Sequence, residues 1–467
     1  MRRGSVLWAS LCVALATSAV RAQSPVVFSR TLPDISVGTT PYAVVIADLN
    51  ADTKADLAVA NLDSSDVSVL WGNNDGMFVD SGATFQVGTS PVAIAVGDFN
   101  DDQKPDLVVA DEVGNTVNVL LNQGGMVFGA PIATDTGSSP EAVVVGDFNE
   151  DGKLDVATSD NFDDTVTVLL GAGNGTFTAH TISGTCGNAA NAGSACAGDA
   201  DCDGTAGSCV LVGAAPVGLL AVDVDGDGHL DLVVTNSDGG SEASGTLSIL
   251  KGLGNGTFIV QPEITSTAFN VPVAVASGFF NDDTTLDLAV INEEGDNVSV
   301  LLGTGNLGFG NAISFSVASF PEGLAVADFN GDGKQDIATS SNFEDKVSVL
   351  LGGGDGSFMP AQDFNVGAAP FGIAAGNLND DSKADLVTTN QDDGTVSVLI
   401  NATPAACAGD CDGNGSVDVT EIIKMVNIAL GTAPVTDCEA GDTGGDGTID
   451  VTEIITAVNH ALTTCEA

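Results

Sequence analysis

Aspartate and asparagine recur along the chain in the pattern Asp-x-Asn/Asp-x-Asp-x-x-x-Asp, as in the segment from Asp223 to Asp231. Calcium takes about six to eight oxygen ligands at flexible distances. A tight loop of this type can supply side-chain oxygens at positions 1, 3, 5 and 9 and a backbone carbonyl at position 7. Magnesium usually keeps several waters, and softer metals prefer Cys or His. The pattern therefore predicts calcium sites.

Seven loops with this pattern follow one another in phase, with position 1 spaced by 50, 49, 76, 56, 49 and 49 residues. Asp and Asn also favour hairpin turns, but seven copies with the same gaps favour metal binding. We expect the fifth loop to be empty, because Phe279 stands at position 1, and the seventh to be weaker, because Asn377 replaces an acid. The predicted ligands are Asp48, Asn50, Asp52 and Asp56; Asp98, Asn100, Asp102 and Asp106; Asp147, Asn149, Asp151 and Asp155; Asp223, Asp225, Asp227 and Asp231; Asp328, Asn330, Asp332 and Asp336; and Asn379, Asp381 and Asp385.

Four short strand patterns accompany each loop, separated by clusters of Gly, Asn and Asp. Four strands in a repeat of about 40–50 residues are typical of a β-propeller blade. The seventh repeat lacks its fourth strand, and the segment from Phe28 to Pro41 matches the missing piece. The sequence therefore predicts an all-β, seven-bladed propeller over residues 23–401 that the N-terminal strand closes, since closure removes both sheet edges.

Two segments carry a family resemblance, Phe128-Gly-Ala-Pro131 and Phe309-Gly-Asn-Ala312. With the acidic loops, they make the repeats similar to the FG-GAP or VCBS repeats of integrin-like propellers. The resemblance implies a calcium-bearing seven-bladed propeller whose usual work is binding, adhesion or scaffolding. It does not name a ligand, since one fold hosts many functions.

A different module is expected at residues 407–467, after a linker at residues 402–406. It contains two twelve-residue loops of the EF-hand type, each followed by a helical pattern, over Val419–Leu430 and Val451–Leu462. The predicted calcium ligands are Asp410, Asp412, Asn414, Ser416, Asp418 and Glu421 in the first loop, and Asp442, Asp446, Thr448, Asp450 and Glu453 in the second.

The paired loop-helix units resemble a type I dockerin, which implies a small α module and a cohesin-like partner. Four cysteines depart from the simplest dockerin pattern and suggest a disulfide-clamped variant: Cys407, Cys411, Cys438 and Cys465. A calcium-stabilised cap without a partner stays an equal alternative.

The N-terminal segment and the cysteines predict that the protein is exported. Residues 1–22 have a basic start, an apolar stretch and a small-residue cleavage site, as secretory signal peptides do. An insertion at residues 184–212 carries Cys186, Cys196, Cys202 and Cys209, and we expect it to be held by two disulfides of open connectivity. The protein is therefore predicted to be secreted, extracellular or at the cell surface.

Charge excludes some partners. The 467 residues include 12 Lys and Arg against 63 Asp and Glu, a formal charge of −51. Nucleic acid is excluded as a default partner because it needs clustered basic residues. An integral membrane protein is not expected either. The predicted partner is an extracellular or cell-surface protein or polysaccharide.

No catalytic constellation is visible, so we expect a protein that is not an enzyme. His180, His229, His460 and Tyr42 do not form a pattern of nucleophile and base, and the acids are accounted for by the metal loops. The alternative is an extracellular polysaccharide-active enzyme or a carbohydrate-binding propeller. Trp71 is the one Trp after residue 22, and its interpretation as a core residue argues against repeated sites that stack tryptophan on sugars.

Overall fold

The computed structural model describes residues 25–125, 127–179, 209–237, 245–403, 409–411, 417–438, 441–442 and 448–463. The predicted signal peptide, most of the cysteine-rich insertion, Cys407, Cys465 and His180 lie outside these ranges. So do the predicted ligands Asp412, Asn414, Ser416 and Asp446. The described propeller has seven blades, each built on an antiparallel sheet, as the sequence predicts.

The first strand of each blade, strand A, lines the central axis. Each A strand contacts the A strands of the two neighbouring blades, and the seventh contacts the first, so the ring is closed. Every A strand has seven residues and begins with Pro, whose missing N–H suits the start of a strand. The A strands are Pro41–Ala47, Pro91–Gly97, Pro140–Gly146, Pro216–Val222, Pro272–Gly278, Pro321–Ala327 and Pro370–Gly376.

Strands B and C form the centre of each blade. All seven B strands begin with the position-9 Asp of the acidic loop and are fully buried. The B strands are Asp56–Asn61, Asp106–Asp111, Asp155–Asp160, Asp231–Asn236, Asp287–Asn292, Asp336–Ser341 and Asp385–Asn390. The C strands are Asp66–Gly72, Thr116–Leu120, Thr165–Gly171, Thr246–Gly252, Asn297–Leu301, Lys346–Leu350 and Thr395–Asn401.

The outer strand, strand D, is less regular than the sequence predicts, because three D strands are broken into two pieces. The D strands of blades 1 to 6 are Phe78–Gln86; Ile132–Asp135; Phe177–Ala179 with Cys209–Leu211; Phe258–Val260 with Ile264–Thr265; Ile313–Ser316; and Gln362–Asn365. Blades 2 and 5 add small ribbons, Asn122–Gly124 with Val127–Phe128 and Gly303–Gly305 with Gly308–Phe309.

The N-terminal strand completes the seventh blade, as predicted. Phe28–Arg30 and Ile35–Ser36 pair antiparallel with the last C strand, with Phe28 opposite Asn401 and Ile35 opposite Val396. The last blade is therefore built from both ends of the propeller segment. Its D strand covers an edge that would otherwise expose unpaired backbone groups.

Small residues at the third position of the A strands let neighbouring blades approach closely. This position is Ala or Gly in every blade. A Cβ atom on Gly218 would lie 2.6 Å from the carbonyl oxygen of Val273 in the next A strand. Hydroxyl groups reinforce these junctions, since Ser159 donates to the carbonyl of Val217 in the next blade at 2.6 Å.

The C-terminal module contains two α-helices, Val419–Ala429 and Val451–Thr463, and a short 3₁₀-helix, Val435–Asp437. The first helix ends one residue before the predicted boundary and the second extends one residue beyond it. A disulfide joins Cys411 to Cys438. Met425, Ile428 and Ala457 form the apolar core between the helices. Within the described residues, neither helix has the length and apolarity that a membrane span requires.

Candidate metal centres

The acidic loops between strands A and B share one set of hydrogen bonds in blades 1, 2, 3, 4 and 6. The position-1 carboxylate accepts from the N–H groups of positions 5 and 6, position 3 accepts from position 5, and position 5 accepts from position 7. In blade 3, Asp151 N–H donates to Asp147 at 3.1 Å and Gly152 N–H donates to Asp147 at 2.8 Å. The corresponding distances in the other four blades lie between 2.7 and 3.3 Å. This arrangement ties the side chains of positions 1, 3 and 5 to the backbone of their own loop.

Position 6 has a left-handed backbone in these loops, which explains why glycine occupies it in blades 3, 4 and 6. Gly152, Gly228 and Gly333 have φ values of 84°, 93° and 79°. Thr53 and Gln103 occupy the same place at 70° and 64°, in a region that costs energy for residues with a Cβ. The first two loops therefore form without the glycine.

Position 9 is a buried anchor in all seven blades. Its two oxygens accept backbone hydrogen bonds, one from position 2 of the same loop and one from the end of strand C. For Asp155 these donors are Phe148 N–H at 2.9 Å and Gly171 N–H at 2.7 Å. In the other blades the pairs measure 2.6 to 3.0 Å.

Burial changes the acidity of these anchors. It raises the pKa of Asp155 to about 6 and that of Asp336 to about 7, although the two backbone hydrogen bonds work in the opposite direction. The structure therefore gives position 9 a role in folding, besides the ligand role that the sequence suggests.

The blade 4 loop brings three carboxylates together. One oxygen each of Asp223, Asp225 and Asp227 lies within 4.8 Å of the others, and Asp231 is not part of this group. Such a cluster could hold a cation. A positively charged side chain already lies beside the cluster. The Lys251 ammonium contacts Asp225 and lies 2.7 Å from the Asp227 carboxylate. The hydrogen bond from Lys251 lowers the pKa of Asp227.

Lysine accompanies the acidic loops more widely. Position 7 is Lys in five of the seven loops, at Lys54, Lys104, Lys153, Lys334 and Lys383. Lys104 and Lys153 form salt bridges with the position-5 acid of their own loop, at 2.7 and 3.2 Å. Sequence reasoning missed these local counter-ions, although their fixed spacing from position 5 was available as a signal. His229, at position 7 of blade 4, contacts Glu150 of the neighbouring loop and does not join the acidic cluster.

The fifth loop, which the sequence predicts to be empty, and the seventh, which it predicts to be weaker, depart from the shared arrangement. Phe279 is half-exposed and supplies no acceptor, so Asp283 N–H bonds only to Asn281, at 2.9 Å. In the seventh loop Asn377 accepts from Asp381 N–H at 3.2 Å. An amide has one acceptor oxygen where a carboxylate has two, so Asn377 accepts fewer of the loop's N–H groups.

Six of the seven acidic loops, all but that of blade 4, are also tied to the following blade by a hydrogen bond to their position-2 carbonyl. In four of these loops a glycine N–H of the following blade donates to the position-2 carbonyl, at 2.8 to 3.2 Å. The donor and acceptor pairs are Gly175 and Phe99, Gly256 and Phe148, Gly356 and Phe280, and Gly76 and Leu378. In two further blades an asparagine side chain is the donor, Asn122 to Leu49 at 2.7 Å and Asn401 to Phe329 at 2.8 Å. The loops therefore lie at the junctions between blades.

In the C-terminal module, predicted ligands act as helix caps. Asp418 accepts from the N–H of Glu421 at 3.1 Å, and Glu421 accepts from the N–H of Asp418 at 2.9 Å, which is a capping box. Asp450 and Glu453 repeat this exchange at 3.0 and 2.9 Å. The same residues supply positions 9 and 12 of the predicted loops, whose other ligands lie partly outside the described residues.

The donor set of the propeller loops fits calcium. It consists of carboxylate and amide oxygens on tight turns, and no described loop contributes Cys or a histidine ligand. A calcium ion would be held by the residues at positions 1, 3 and 5, with Asp223, Asp225 and Asp227 as the clearest group. It would supply the positive charge that opposes their mutual repulsion.

Family models agree with the repeat pattern. A model of the FG-GAP-like repeat matches residues 48–109, 98–158 and 280–339, and a model of the FG-GAP repeat matches residues 215–250. These matches cover the acidic loops of blades 1 to 6 in whole or in part. No curated protein matches the sequence.

Solved structures share the fold at low sequence identity. A chain from the crystal structure of BBS1N in complex with ARL6DN is 12% identical, with a TM-score of 0.53, covering 82% of this chain and 99% of that one. Virginiamycin B lyase from Staphylococcus aureus is also 12% identical, with a TM-score of 0.51, covering 80% and 99%. At such identities these similarities show the propeller fold alone.

Proposed function

Because the protein is an FG-GAP-repeat β-propeller, a type of module that typically binds ligands or mediates adhesion, we propose that it works outside the cell as a calcium-dependent binding or scaffold protein. The observation that carries this proposal is the convergence of Asp223, Asp225 and Asp227 within 4.8 Å. The loops of blades 1, 2, 3 and 6 have the same hydrogen bonds as the blade 4 loop, so the proposal includes metal sites in these blades as well.

Calcium in this proposal has a structural role. Six of the acidic loops bond to the following blade, so an ion in one of these loops would hold both the loop and its contact with the next blade. A ligand that binds only the folded state stabilises it by about 2.7 kcal/mol at a hundredfold excess over its dissociation constant. Several sites in one closed ring would add their effects.

The C-terminal module is proposed to be a dockerin-like calcium module. Its paired helices, each preceded by an acidic loop, and the disulfide between Cys411 and Cys438 support this role. A partner would be cohesin-like. The alternative, a cap without a partner, predicts that removal of residues 407–467 leaves every binding property of the propeller unchanged.

A second class of function is an extracellular polysaccharide-active enzyme or a carbohydrate-binding propeller. Against stacking on sugar rings, Trp71 is 7% exposed and packs in the core between blades 1 and 2. Tyr42 packs against Phe371 with ring centroids 4.0 Å apart. We therefore propose a non-enzymatic role, and a glycan array in calcium would separate the two classes.

The central experiment measures bound metal. Protein dialysed in calcium and then in metal-free buffer should carry several calcium ions per chain by elemental analysis. One ion or none would overturn the proposal. The calcium-loaded protein can be used as bait for affinity capture from the cell-surface and extracellular material of its own organism, which would identify the ligand. The same capture in chelator should recover much less of this ligand.

A further inference from the structure

The two faces of the propeller differ in how their acids are compensated. Along each blade, strands A and C run toward the acidic loops, so the turns between strands B and C lie on the opposite face. We call this opposite side the turn face, defined by the six described B–C turns. These are residues 62–65, 112–115, 161–164, 293–296, 342–345 and 391–394.

The acidic-loop face carries basic residues among its acids. Five loop lysines at position 7 and Lys251 lie there, which is six of the nine basic residues after position 22. The six B–C turns of the turn face contain eleven Asp and Glu and no Lys, Arg or His. Lys346 follows one of these turns and is already paired with Glu344 and Asp363, at 2.7 and 3.7 Å. The turn face therefore has uncompensated negative charge.

Four glutamates gather where the central channel opens on this face. Glu141 and Glu322 are the second residues of two A strands, and Glu112 and Glu293 follow two B strands. Tyr42, the second residue of the first A strand, lies at the same end of the channel, and burial, followed by the charges of these four glutamates, raises its pKa. Within the described residues no basic side chain forms a salt bridge with any of the four.

Exposed aromatic side chains flank this mouth. Phe162 is 80% exposed and Phe343 is 74% exposed, each at the second position of a B–C turn. Each is followed by two acids, in the segments Asn-Phe-Asp-Asp and Asn-Phe-Glu-Asp. Blades 3 and 6 carry them, on different sides of the ring. An aromatic face beside carboxylates suits a lysine or arginine side chain, through cation–π contact and charge attraction.

We propose that the turn face is a docking surface for a lysine- and arginine-bearing segment of another polypeptide, which crosses the channel mouth between Phe162 and Phe343. The argument is charge complementarity, because a surface with this excess of acids attracts and orients a basic partner. The inference rests on the proposed binding role and names the class of partner and the face.

The test uses fluorescent octalysine and the full-length protein in calcium, with binding followed by anisotropy at low salt. The assay is run at pH 9, where both carboxyls are largely ionised and lysine stays charged; there the variant Glu141→Gln/Glu322→Gln removes two charges at the mouth and should weaken binding about tenfold or more. The control Asp75→Asn/Glu263→Gln removes two exposed charges elsewhere and should change the affinity less than about twofold. Glutamine in place of a partly buried glutamate keeps the packing, and a melting curve verifies the fold.

The aromatic residues have a matched control on the other face. Phe162→Ala and Phe343→Ala should each weaken octalysine binding several-fold, whereas Phe279→Ala, in the fifth acidic loop, should not. Equal losses in mouth variants and controls would overturn the proposal in favour of general charge attraction. Absence of octalysine binding, or its abolition by millimolar calcium at constant ionic strength, would also overturn it. The proposed function is tested separately, by calcium content and partner capture, so positive results there would support it even if the octalysine experiment failed.

Discussion

The N–H of Gly256 donates a 2.8 Å hydrogen bond to the carbonyl oxygen of Phe148, which ties the turn after strand C of blade 4 to the acidic loop of blade 3. Phe148 is position 2 of its loop, directly beside the position-1 acid Asp147. The loop that would hold a metal is therefore also the loop that joins two blades. A change in the charge of the loop acts on the ring as well as on the site.

Removing metal should loosen the whole propeller. At neutral pH a chelator should lower the melting temperature sharply and expose the propeller to protease, because carboxylates at close range lose their cation. Differential scanning calorimetry and limited proteolysis, with and without chelator, measure this. Magnesium should restore stability poorly, since it favours octahedral geometry and keeps its waters.

One result would contradict the predicted effect of the chelator on the melting temperature. If protein shown to be metal-free melts at the same temperature as calcium-loaded protein, the loops are acidic turns without a metal role. The comparison should be made at matched ionic strength, because salt alone screens repulsion between exposed carboxylates.

Lys251 should compete with calcium in blade 4. The variant Lys251→Met removes the ammonium beside Asp225 and Asp227, so calcium should bind this loop about tenfold more tightly. The same variant should melt lower than the wild type in chelator, where the lysine is the local counter-ion. Calorimetric titration and melting curves measure the two effects. Lys346→Met is the control, since Lys346 pairs with Glu344 and Asp363 away from the acidic loops.

Removing an acid should matter most where the loop is complete. In calcium, Asp227→Ala should lower the melting temperature more than Asp283→Ala, because the Asp283 loop has Phe279 at position 1. In chelator the difference between the two variants should narrow. Equal losses in calcium would contradict the ranking of the loops.

Much of the fold follows from local pattern. The repeat spacing and the four strand signals predict seven blades, and the match of Phe28–Pro41 to Phe78–Pro91 predicts ring closure, which the pairing of Phe28 with Asn401 confirms. These features repeat, so each copy supports the others. The broken D strands were not predicted: an insertion separates Phe177–Ala179 from Cys209–Leu211, but the D strands of blades 4 and 7 are broken without one, so no shared sequence signal marks the breaks.

The site was less completely predictable for a physical reason. Spacing identifies which residues share a loop, but it does not show which oxygens the backbone already uses. The sequence places Asp155 among the ligands, whereas the structure shows both of its oxygens accepting from Phe148 and Gly171. Likewise, Lys251 lies 24 residues beyond Asp227 in sequence, and only the pairing of strands B and C brings them together.

Position 9 should be required even without metal. Asp155→Ala leaves the N–H groups of Phe148 and Gly171 buried without an acceptor, and should destabilise the protein by about 3 kcal/mol or more in chelator. Asp155→Asn keeps one acceptor oxygen and should cost less. Asp151→Ala, at exposed position 5, should matter mainly in calcium. Denaturant unfolding of all three variants in both buffers measures the free energy of unfolding. If Asp155→Ala lowers this free energy only in calcium, position 9 acts as a metal ligand and not as a structural anchor.

The channel-mouth glutamates should make stability depend on pH. Burial, with smaller effects from neighbouring acids, raises the pKa of Glu141 to about 7 and that of Glu322 to about 8, above the value of 4.5 for the unfolded chain. A raised carboxyl pKa means that the folded state binds the proton more tightly, so the stability penalty is complete above pH 8 and disappears toward pH 5. The Glu141→Gln/Glu322→Gln variant should therefore melt above the wild type at pH 9. The gap should shrink steadily as the pH falls to 6, and calcium effects cancel because both proteins carry the same acidic loops. A gap that stays constant from pH 9 to pH 6 would show that these glutamates keep ordinary pKa values.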